Sequence, residues 1–102
     1  MHWNTPDNKA LIKAILSLES ADEARRFLRD LLTPKEIEEF GKRFCAAELL
    51  TENVPYSAIE RRTGLSSTTV ARVSKWLNGK EGGYRSVINK LHHHSISLAR
   101  GS

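Results

Sequence analysis

The chain has 102 residues, of which 39% are hydrophobic and 27% charged, with 3 Pro, 6 Gly and one Cys. Such a length implies one small domain with a modest core, and the composition excludes a disordered, collagen-like or disulfide-stapled chain. The net charge of +4 is unevenly spread: residues 1–40 carry six Lys/Arg against eight Asp/Glu, and residues 41–102 carry ten against four, so the basic C-terminal half offers a footprint for nucleic acid.

Helix signals follow one another along the chain, and strand alternation is nearly absent. Thr5-Pro6 opens a first helix, with Thr5 as N-cap and Pro6 at the first helical position. Leu11, Ile12, Ile15, Leu16 and Leu18 then recur at helical spacing. Ser20-Ala21-Asp22-Glu23 reads as a capping box that opens a short second helix with Ala24, Phe27, Leu28 and Leu31 on its apolar face. Thr33-Pro34-Lys35-Glu36 is another such box, opening the longest helix, about 34–52, with Ile37, Phe40, Phe44 and Ala47 on one stripe. Asn53-Val54-Pro55 ends it. A short helix over about 56–63 and another over about 67–78 follow, then breaks at Asn78-Gly79 and Gly82-Gly83, then a last helix at 84–91 carrying Val87, Ile88 and Leu91. Residues 92–102 show no pattern and are expected to form a flexible tail. The organisation expected is therefore all-α: one domain over 1–91, with N-terminal dimerisation helices at 1–52, a two-helix motif at 55–78 and the C-terminal helix at 84–91.

No apolar run approaches the roughly 20 residues needed to cross a bilayer, so no membrane association is expected. The opening MHWNTPDNK lacks a charged region followed by an apolar stretch, so no signal peptide is expected. With Cys45 as the lone thiol, the expected setting is the reducing cytoplasm.

The informative stretch is YSAIERRTGLSSTTVARVSKWL, Tyr56 to Leu77. Two helices meeting at a large angle need an inward apolar residue on the first, here Ile59. They need a residue at the turn that accepts positive φ, here Gly64. A buried Leu65 follows, then a capping Ser66, and then Val70 and Val73, which pack back on Ile59. This spacing defines a helix-turn-helix and leaves Ser67, Thr68, Ala71, Arg72 and Lys75 facing outward. Small polar residues near a helix N-terminus allow close approach to a major groove and to phosphate. Arg72 can fork onto guanine O6 and N7, and Arg61, Arg62 and Lys75 can neutralise backbone charge. An ordinary helical hairpin with a solvated charged face is the plain alternative.

From Leu32 onward the chain resembles the Trp repressor superfamily, and most resembles its YerC/YecD-type branch. The residues that carry the likeness are Leu32-Thr33-Pro34, Phe40-Gly41, Arg43, Glu48-Leu49-Leu50, Ile59, Gly64, Thr69-Val70 and Arg72. The resemblance implies a six-helix fold, an intertwined homodimer and two DNA-reading heads one helical turn apart on a near-palindromic operator. Carried over by position, the DNA-facing residues are Tyr56, Ser57, Ser67, Thr68, Thr69, Ala71 and Arg72. In tryptophan-responsive members the corepressor indole lies between two arginines, which match Arg43 and Arg72, beside residues matching Leu32 and Thr33. Here Val73 and Trp76 stand where those members have a glycine and a serine. The expectation is a vestigial ligand pocket, filled or covered by Trp76, and DNA binding that requires neither L-tryptophan nor any other cofactor. Glu60 stands where the family often has a cation, and is expected to pair with a neighbour such as Arg61.

Cys45 reads as a core thiol, and His92-His93-His94 lack the geometry of a metal site. No catalytic constellation is visible, so no enzyme is expected. The expected role is a sequence-specific transcriptional regulator, a repressor acting by occlusion. The rivals are a protein-interaction scaffold, favoured by Glu60 and the acidic N-terminal half, and a replication or mobile-element DNA-binding protein.

Overall fold

The computed structural model describes residues 1–101, with side chains described as far as His93. Among the described residues the regular elements are six α-helices: α1 (Pro6–Leu16), α2 (Ala21–Leu31), α3 (Pro34–Thr51), α4 (Tyr56–Thr63), α5 (Ser67–Leu77) and α6 (Gly83–Gly101). None is long and apolar enough to cross a membrane. The chain divides into two compact units, Met1–Ile37 and Glu38–Ser102.

In the first unit the helix starts are set by local hydrogen bonds. The Thr5 hydroxyl accepts from the Asn8 N–H at 3.3 Å, with Pro6 in the first turn. The Ser20 hydroxyl accepts from the Glu23 N–H at 3.1 Å. The Glu23 carboxylate reaches back to the N–H of Glu19 at 3.2 Å, one residue before the cap. At α3 the box closes on the cap itself: the Glu36 N–H donates to the Thr33 hydroxyl at 3.1 Å and the Thr33 N–H donates to the Glu36 carboxylate at 2.9 Å. Neither α1 nor α2 has a buried residue. Their apolar stripes, Leu11, Ile12, Ile15 and Leu16 on α1 and Leu28 and Leu31 on α2, are exposed in the single chain.

The Glu36 carboxyl is held below the ordinary glutamate range, first by the Thr33 backbone N–H and then by the Thr33 side chain. A depressed carboxylate contributes stability above the unfolded-state value, near ~4.3, and loses it as pH falls through the lower folded value. Glu36→Gln is expected to flatten the pH dependence of the thermal midpoint below about pH 4.3. Parallel melts of parent and variant from pH 3 to pH 7 would check this; equal slopes would show that the box does not couple to folding.

The second unit holds the core. Ala46 and Ala47 of α3, Ile59 of α4, Leu65, Val70 and Val73 of α5 and its approach, and Ile88 of α6 form one buried cluster. Alanines on α3 let the other helices sit close to it, and the β-branched valines of α5 fill the space against Ile59. The C-terminus of α3 closes with Asn53 in the left-handed region at φ 61, a conformation that asparagine tolerates. The Val54 N–H returns to the Leu49 carbonyl and the Asn53 N–H to the Leu50 carbonyl, both at 3.1 Å. This is a Schellman closure, and Val54, Leu49 and Leu50 pack together on the core.

At the C-terminus the structure differs from the sequence reading. α6 does not stop at Leu91 but continues to Gly101, so the backbone expected as a tail over 92–102 is helical through Gly101; Ser102 lies outside the described residues. No proline and no glycine interrupts the chain between Gly83 and Gly101. A helix already nucleated on the core therefore propagates at one hydrogen bond per residue, even without an apolar pattern to announce it.

Candidate nucleic-acid interface

The α4–α5 pair meets across three residues, and each has a local reason to be there. Gly64 ends α4 in the left-handed region at φ 77, its N–H bonded to the Glu60 carbonyl at 2.8 Å. A side chain at that φ is strained, so glycine is the residue the turn accepts most cheaply. Leu65 is buried beneath the turn. Ser66 caps α5, its hydroxyl accepting from the Thr69 N–H at 3.1 Å. Thr63, buried although polar, braces the same turn: its hydroxyl donates to the Ile59 carbonyl at 2.8 Å and accepts from the Leu65 N–H at 3.2 Å. A lone Thr before Gly carries no pattern in the sequence, so only the fold shows this brace.

With Val70, Val73 and Leu77 turned into the core, the opposite side of α5 is open. Ser67, Thr68, Ala71, Arg72 and Lys75 are all exposed, as are Ser57, Arg61 and Arg62 on α4. Among the described residues the ion pairs are Asp22 with Arg25 and Arg26, and Glu39 with Arg43. Among the described residues Arg61, Arg62, Arg72 and Lys75 thus have no acidic partner and Glu60 has no cationic one, so its expected pairing with Arg61 is not formed. Adjacent α4 side chains point in directions about 100° apart and do not face each other.

Two of the residues assigned to this face are partly occupied. The Thr69 hydroxyl receives a hydrogen bond from Ser66 at 3.0 Å, and Thr69 is half-buried. Tyr56 is exposed, but its phenol donates to the Ser74 hydroxyl at 2.6 Å, tying the start of α4 to α5. Each can still accept a further hydrogen bond, so they are oriented contacts and not free rotors.

The residues of the expected ligand pocket are divided. Leu32 and Thr33 lie in the first unit, where Leu32 ends α2 and Thr33 caps α3. In the second unit the structure joins Arg43 and Trp76. The Arg43 guanidinium carbon sits 5.6 Å from the Phe40 ring centre and 6.0 Å from that of Trp76, within cation–π range of both. Glu39 Oε1 is 3.6 Å from Arg43 Nε, close enough for an ion pair but too long for a hydrogen bond, and that buried nitrogen has no hydrogen-bond partner among the described residues. Val73 is fully buried with Ile59 and Val70 and belongs to the core. Nearby, burial pushes the Tyr84 phenol above its ordinary value, and the Arg43 charge partly opposes this.

Comparison with known proteins gives concordant results. The Trp repressor protein family model matches residues 7–92. An uncharacterized protein YerC of Bacillus subtilis is 36% identical over 81 residues, which is 79% of this chain and 78% of that protein. The crystal structure of a TrpR-like protein from Eubacterium eligens superposes with a TM-score of 0.83 at 38% identity, covering 88% of this chain and 93% of the other.

Proposed function

The chain belongs to the Trp repressor family of helix-turn-helix DNA-binding regulators, and from that premise we propose that it is a sequence-specific duplex DNA-binding protein that represses transcription by occupying its site. The observation that carries this reading is the open side of α5. A capped helix N-terminus, two exposed hydroxyls, an alanine and two exposed cations lie along one exposed face, the chemistry that fits a major groove and its phosphates. In this reading Arg72 reads a base, while Arg61, Arg62 and Lys75 neutralise phosphate. The protein binds and does not catalyse, and its place is the cytoplasm.

The working unit we propose is a homodimer. α1 and α2 leave their leucines and isoleucines uncovered in one chain, and a second copy is the simplest cover for a small helical protein. Two heads imply a near-palindromic operator with half-sites about 34 Å apart.

We also propose that no free tryptophan is required. The Trp76 indole already faces the Arg43 guanidinium, and Val73 fills the core where space would be needed. Selecting bound duplexes from a random pool, with and without L-tryptophan, tests all three statements. The expected result is one near-palindromic consensus in both arms, with binding that falls steeply as salt rises. Recovery of no consensus would overturn the DNA reading, and a consensus seen only with the amino acid would overturn the ligand-free one.

A further inference from the structure

Val70 and Val73 against Ile59 fix which face of α5 turns inward, and the fine roll about its long axis is left to directional bonds. Directional bonds are needed to aim Arg72 and the hydroxyls, and they are found at the other end of the helix. Arg85, on α6, donates from Nε to the Leu77 carbonyl at 3.1 Å and from its terminal nitrogen to Asn78 Oδ1 at 2.6 Å. Asn78 donates its side-chain N–H to the Ser74 carbonyl at 2.9 Å, beside its own backbone N–H at 3.1 Å. Ser74 in turn receives the Tyr56 phenol. Two sets of bonds thus meet at Ser74, Asn78 on its carbonyl and Tyr56 on its hydroxyl, and this belt links α6 through the last turn of α5 to the first residue of α4.

We propose that Arg85 is a positioning residue for DNA recognition: through Asn78 and Ser74 it sets the roll of α5, and with it the aim of Arg72. The inference rests on the duplex DNA reading above. The last carbonyls of α5 have no partners within the helix, and a guanidinium supplies two parallel donors together with a charge matched to the helix C-terminus. Lysine at the same place keeps the charge but not the fork. That difference separates positioning from simple electrostatics.

The test uses the full-length protein, the duplex recovered by selection and a scrambled duplex of equal composition. For Arg85→Lys and for Asn78→Ala the ratio of specific to scrambled affinity is expected to fall about tenfold, as when one base contact loses its alignment. Scrambled affinity should stay within about twofold, with an unchanged salt slope, because no phosphate contact is removed. Asn78→Ala removes the amide that links Arg85 to the Ser74 carbonyl, at an exposed position outside the core. It therefore decides the matter even if the arginine variant melts early. If Arg85→Lys and Asn78→Ala both keep the parent's ratio, the belt does not aim the helix and the proposal fails. If Arg85→Lys weakens both duplexes together while Asn78→Ala matches the parent on both, Arg85 is a phosphate ligand and the proposal also fails. A parent protein that selects no duplex overturns the function itself before any variant is made, and the positioning role falls with it.

Discussion

Ile59→Ala is expected to destabilise the second unit by about 2–5 kcal/mol, the range for emptying a packed aliphatic site. Ile59 is fully buried and, with Val70 and Val73, is among the largest of the fully buried side chains. Those two valines are held on α5, whose position is also fixed by the polar belt, so the cavity cannot close by a simple slide of the helix. A whole small domain is worth about 5–15 kcal/mol, so this one truncation removes a large share. Urea unfolding followed by helical circular dichroism gives the measurement. A midpoint unchanged from the parent would mean that the site collapses freely and that Ile59 is not the wedge between α4 and α5. DNA binding should be lost in step with the folded fraction.

Arg72→Ala is expected to weaken binding to the selected duplex by about 1–3 kcal/mol, the usual worth of a bidentate base contact. The guanidinium is exposed and has no ion-pair partner among the described residues, so its removal leaves no buried charge behind and should leave thermal stability nearly unchanged. Competition with duplexes altered one base pair at a time should show relaxed preference at one position in each half-site. A uniform loss across all sequences, with the salt slope reduced by about one, would assign Arg72 to phosphate instead. Ile59 and Arg72 thus lie on opposite sides of the motif: one variant lowers stability and binding together, the other lowers binding alone.

The helices and their starts were legible in the sequence because the forces that fix them act over three or four residues. Thr5, Ser20, Thr33 and Ser66 each bond an N–H three positions on, and Gly64 answers a demand of its own φ. The inward set of Ile59, Val70 and Val73 followed from helical period alone, and so did the outward set around Arg72. Only the folded chain could decide the contacts between residues far apart in sequence. Tyr56 meets Ser74, Arg85 crosses from α6 to the end of α5, and Arg43 slides beneath the Trp76 ring. Nothing in the local spelling marks these partners, because each bond depends on the angle between helices, which the buried cluster sets as a whole. The reach of α6 to Gly101 was hidden for the opposite reason: a helix anchored on a core at one end needs no pattern of its own to continue.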